Sequence, residues 1–227
     1  GANQAFVQAI MCLCDVGDEV ILHAPYYFSH LVALQLCGVR PVVLPCGADG
    51  QPELETLRVA LSRPEGRVRA VVLCSPSNPS GAVCPEFLGR AIQRECAQHG
   101  AWLVTDEAYE DFTFEGHVHT SFAAAERPSG NSADEIAADD SAPTDGTVSL
   151  FTFSKSYGLA GWRVGYVVYP RRLHAAMLKL QDTMPTHASR ASQSVALGAL
   201  TELGTPWVQA QDSTLRVARS TLWAALA

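Results

Sequence analysis

The chain has 227 residues, 48% of them hydrophobic, and 23 acidic against 16 basic residues leave a net charge of −7 at pH 7. That length and apolar content can bury one substantial core, as one large domain or at most two small ones. The acidic balance and the lack of any clustered basic run argue against nucleic acid or an anionic membrane as partner, and no apolar stretch approaches a bilayer span. In chain order, residues 2–14 read as a helix that begins at once, followed by a strand over 19–23. Gly38 stops a helix just before a strand at 40–44, and apolar residues at helical spacing cover 54–61. A strand at 68–74, a helix at 87–98 stopped by Gly100, and a strand at 101–105 come next. Strands at 148–153 and 164–169 follow, then helical stretches from Pro170 through Asp182, at 192–203 and at 207–227.

Most of these strands are near-continuously apolar rather than alternating, as strands buried on both faces should be. The expected fold class is α/β, with a mainly parallel sheet and helices on both faces. One stretch departs from this pattern. Residues 126–146 are rich in Ala, Ser, Asp and Pro and strongly acidic, so they are expected to form a flexible surface insertion. Both ends look cut, and the opening run lacks a basic leader of the signal-peptide kind. Seven cysteines without a CxxC pair read as reduced thiols, which implies a reducing compartment, cytoplasm or organelle matrix. His117 and His119 have no partner pattern and are expected to face solvent rather than a metal.

Three islands carry chemistry. They are Ser75-Pro76-Ser77-Asn78-Pro79-Ser80-Gly81, then Asp106-Glu107-Ala108-Tyr109, then Ser154-Lys155 with Gly161-Trp162-Arg163-Val164-Gly165. Each follows an expected strand, and in parallel sheets ligands bind at the carboxyl ends of strands. A buried or cation-flanked Lys155 would lose its proton more readily and act as a nucleophile. Ser154 and Arg163 are groups that a bound phosphate would use. The start of the first helix, with Ala2 and Asn3, offers free N–H groups and a positive dipole end to an anion. Read singly, Asp106 also suits a helix N-cap, Asn78 a turn, Arg163 a surface ion pair and Tyr27 an aromatic core cluster. Glu107 reads as structural.

Together, in this order and spacing, the islands resemble the class I/II aminotransferases, enzymes of fold type I that use pyridoxal 5′-phosphate (PLP). The resemblance implies that Lys155 forms a Schiff base with PLP and later carries a proton between the substrate's Cα and the cofactor. It implies that Asp106 pairs with the pyridine nitrogen, that Tyr109 and Asn78 hydrogen-bond the ring hydroxyl oxygen, and that Tyr27 stacks on the ring. Ser154, Arg163, Ala2 and Asn3 would hold the phosphate. The implied activity is amino transfer between an amino acid and a 2-oxo acid, in a homodimer. Residues 1–227 would be the PLP-binding large domain, lacking the small domain and N-terminal arm that complete the enzyme. A PLP-dependent lyase or cyclase, or a non-catalytic regulatory domain, would share the same scaffold.

Overall fold

A strand with no polar face has to be covered on both sides, and the helices between these strands supply that cover. The computed structural model describes residues 1–64, 66–114, 116–123 and 146–226. The described residues form β1 (Glu19–Ala24), β2 (Arg40–Pro45), β3 (Val68–Cys74), β4 (Trp102–Asp106), β5 (Thr147–Thr152) and β6 (Gly165–Val168) in one sheet of order β2-β1-β3-β4-β5-β6. Neighbours from β2 to β5 are parallel, whereas β6 runs antiparallel to β5. The expected α/β class and mainly parallel sheet are therefore observed. The acidic stretch expected over 126–146 lies outside the described residues, save Gly146.

The helices are α1 (Ala2–Leu13), α2 (Phe28–Leu36), α3 (Leu54–Leu61) and α4 (Glu86–Gln98), then a short α5 (Phe153–Ser156), α6 (His174–Thr183), α7 (Arg190–Gly198) and α8 (Gly204–Leu226). Alternation along each strand feeds two cores. Val20, Leu22, Val72 and Val104 point to one face, where Phe6, Ile10 and Leu34 of α1 and α2 cover them. Ile21, Val71, Leu73 and Leu103 point to the other, under Leu57 of α3 and Ile92 of α4. Each such side chain, fully enclosed, stabilises the fold by about 1.5–3 kcal/mol. Gly38 and Gly100 take φ of +69° and +66° just after α2 and α4, in the left-handed region where a residue with a Cβ is strained.

The reversal of β6 has a local cause. A parallel return needs a crossover long enough to travel the length of the sheet, and the stretch 153–164 instead spends itself on α5 and a single 3₁₀ turn at Ala160–Trp162. The chain leaves β5 and re-enters the sheet at the same edge. That edge carries the functional residues.

Candidate active site

β3, β4 and β5 end side by side. The register places Cys74 opposite Asp106 and Asp106 opposite Leu150. Two further bonds extend the ladder past the strand ends, from Ser75 N–H to the Asp106 carbonyl (3.0 Å) and from Glu107 N–H to the Leu150 carbonyl (3.0 Å). The Asn78 turn is closed by bonds from Gly81 N–H to the Ser77 carbonyl and from Ser77 N–H to the Ala82 carbonyl, both 2.8 Å. The three islands are thereby fixed to one edge, against the amino end of α1.

They enclose a cavity of about 230 Å³. Asn78, Asp106, Tyr109, Ser154, Lys155 and Arg163 line it, as do Ala2, Asn3 and Tyr27. Every residue expected to hold or act on the cofactor is brought to this one place. Cys74, Thr152 and Ala160, which the sequence reading passed over, complete the wall.

Asp106 is buried, and both of its carboxylate oxygens are engaged. Oδ1 accepts from Ala108 N–H (3.1 Å) and Oδ2 from His30 Nε2 (2.9 Å). Hydrogen bonds to a charged group contribute about 1.5–3 kcal/mol each, so the carboxylate is held in one orientation. His30 is itself wedged between the Phe6 ring, with centroids 4.3 Å apart, and the edge of Tyr27 at 5.3 Å. Sequence reasoning missed His30. Its neighbours Phe28-Ser29-His30-Leu31 signal only a helix face, and its partner lies 76 residues away.

Lys155 sits in α5, whose N-cap is Thr152: the Ser154 N–H donates to Thr152 Oγ1 (3.2 Å). Lys155 is exposed rather than buried, and its Nζ lies 5.3 Å from the centre of the Tyr109 ring. Beyond that ring the ammonium has no hydrogen bond or ion pair among the described residues. Arg163 adopts the left-handed conformation (φ 56°, ψ 40°), and its guanidinium donates to the Ala160 carbonyl (2.7 Å). A Cβ on Gly1 would come within 3.0 Å of that guanidinium, so the amino end of α1 and Arg163 face each other closely. The Ala2 and Asn3 N–H groups belong to the first turn, which has no intrahelical acceptors.

Glu107 points to the opposite side and is fully buried. It takes bonds from Thr105 Oγ1 (2.7 Å) and His119 Nε2 (2.9 Å). His119 is thus not solvent-facing as expected. Its side chain is only 8% exposed, because the enclosed Glu107 carboxylate needs a donor. His117 is exposed. Among the described residues no cluster of His, Cys, Asp and Glu is placed to hold a metal.

These groups fit PLP on the chemistry of the donor set. An amine, a fixed carboxylate, a phenol, an amide and an anion cradle surround one cavity, matching an aldehyde, a ring nitrogen, a ring hydroxyl and a phosphate.

The family model for aminotransferase class I and II matches residues 1–227. An aromatic aminotransferase of Arabidopsis thaliana is 34% identical over 95% of this chain and 50% of its own length. An arginine–pyruvate transaminase of Pseudomonas aeruginosa is 33% identical over the same shares. Among solved structures, N-succinyldiaminopimelate aminotransferase from Mycobacterium tuberculosis superposes with a TM-score of 0.82 at 29% identity, covering 100% of this chain and 55% of that one. Aspartate aminotransferase from Thermus thermophilus with maleate gives 0.84 at 28% identity, over 100% and 55%. The chain spans about half the length of the curated relatives it matches. Its sequence over 1–227, its sheet order and the contents of its cavity make it a member of the class I and II aminotransferase family.

Proposed function

We propose that this chain is the cofactor-binding large domain of a PLP-dependent aminotransferase, which moves an amino group between an amino acid and a 2-oxo acid. The observation that carries the reading is the convergence on one cavity of a lysine without a polar partner among the described residues and a buried, doubly bonded aspartate. Bound PLP supplies an electron sink for the charge left at the substrate's Cα. Lys155 would be the attachment point for the cofactor and, once released, the base that takes the Cα proton and returns it. Asp106, its carboxylate held still by His30, would keep a proton on the ring nitrogen. Tyr109 and Asn78 would hydrogen-bond the ring hydroxyl oxygen, and Tyr27 would pack on the ring. Ser154, Arg163 and the Ala2 and Asn3 N–H groups would hold the phosphate.

The group that binds the substrate α-carboxylate belongs to the part of the relatives' length that this chain does not span. The full-length protein acts as a homodimer, in which residues 186–190 would approach the neighbouring subunit's site. The test is 2-oxo-acid-dependent amino transfer by the full-length protein, measured beside ammonia release. Transfer is expected, and it should fall about 10³-fold or more in Lys155→Ala. Ammonia release without transfer would instead mark a lyase.

A further inference from the structure

β1 carries His23 to the floor beneath the candidate active site, where its residue is only 9% exposed. Its Nδ1 lies 3.4 Å from the Val72 carbonyl oxygen, which can only accept, so Nδ1 bears the ring hydrogen. Burial lowers the pKa of this imidazole from its ordinary value, which favours the neutral ring. Nε2 is then a buried lone pair, and it has no hydrogen-bond partner among the described residues.

His23 lines a second, smaller cavity of about 30 Å³. Tyr27 and Cys74 line both cavities and form the partition between them. His30 also lines the smaller one. In the neutral ring that gives Nε2–H to Asp106, the His30 Nδ1 is a second lone pair on a residue that lines this cavity. The volume exceeds what a single water requires, about 10–15 Å³. A water has two hydrogens to give, one for each of these ring nitrogens.

Thiols of Cys46, Cys74 and Cys84 share the wall, so a soft metal is the competing occupant. Burial raises the pKa of all three, that of Cys84 to about 12, and keeps them protonated. Cys74 and Cys84 donate to the Pro76 and Pro85 carbonyls, and no metal-holding group forms among the described residues. Water fits better.

We propose that this cavity binds a water that donates to His23 Nε2 and His30 Nδ1, which makes His23 a positioning residue for Asp106. The inference rests on the reading of Asp106 as the cofactor's partner. A high-resolution crystal structure of the full-length protein, with or without PLP, is expected to show an ordered water within about 3.2 Å of both nitrogens. A dry cavity, or a water that reaches only one ring, overturns the proposal.

Two variants separate positioning from mere packing. His23→Asn keeps a donor for Val72 but removes the acceptor that faces the cavity, whereas His23→Gln keeps an acceptor at that reach. The Asn variant is expected to weaken PLP binding about fivefold, the effect of one net hydrogen bond, and to move the ¹⁵N resonances of His30. The Gln variant should leave both near their wild-type values. Equal effects from the two variants, or none from either, contradict the positioning role. Should the wild-type protein bind no PLP, the cofactor reading fails by itself, while the water and the His30 resonances still decide this inference.

Discussion

Asp106 and Lys155 differ most in what surrounds them. Asp106 is buried and held by His30 and the Ala108 amide, while Lys155 stands exposed over Tyr109. A fixed charge acts strongly on a ligand because it does not reorganise, and an exposed amine can move as bonds change. Asp106→Asn should preserve the shape and most of the hydrogen bonds but remove the charge. Its kcat in the full-length protein is expected to fall about 10²–10³-fold, with the thermal midpoint little changed. A comparable loss of stability and activity would assign Asp106 to folding instead. At this scale the sequence exposes residues whose role is written locally, such as Asn78 in its turn and Lys155 beside its glycines. His30 and His119 were not legible, because each owes its burial to a carboxylate at a strand end that only the fold brings near.

Elements come together here through close approaches that only glycine permits. Gly165 opens β6 so near β5 that an added Cβ would lie 2.5 Å from the Phe151 carbonyl oxygen. Gly89 lets α4 lie directly on the Phe122 ring. Gly165→Ala should force the two strands apart, lower stability by about 1–3 kcal/mol in chemical denaturation, and displace Arg163 two residues earlier. The same variant should weaken phosphate-dependent binding of PLP more than that of pyridoxal. Equal weakening of both would detach this strand from the phosphate site. Strand positions could be read from apolar runs to within a residue or two, since enclosure on both faces writes itself into composition. The direction of β6 could not. Hydrophobicity is blind to polarity of the chain, and the reversal depends on α5 and its turn filling the connection.

For the whole molecule, the sheet edge that gathers the site also gathers charge. Beyond Tyr109, Glu110 is half-enclosed beside Asp111 and Glu107; burial first, then these carboxylates, raise its pKa from 4.5 to about 7. The folded state thus holds this proton more tightly than the unfolded chain does. Below about pH 4.5 the group is protonated in both states, and as pH rises through 7 the folded state loses stability. Glu110→Gln should therefore gain on the wild type between pH 4.5 and 7.5 when urea midpoints are compared. A constant difference across that range would contradict the assignment. The fold class was readable from the chain as a whole, because strands and helices alternate throughout. The acidic stretch 126–146 lies almost wholly beyond the described residues.

The chain contains two lysines, Lys155 at the cavity and Lys179 on the exposed side of α6. Reducing the PLP-loaded full-length protein with borohydride and mapping the labelled peptide distinguishes them in one measurement. The label is expected on Lys155; a label on Lys179, or on no lysine of this chain, would contradict the site described above.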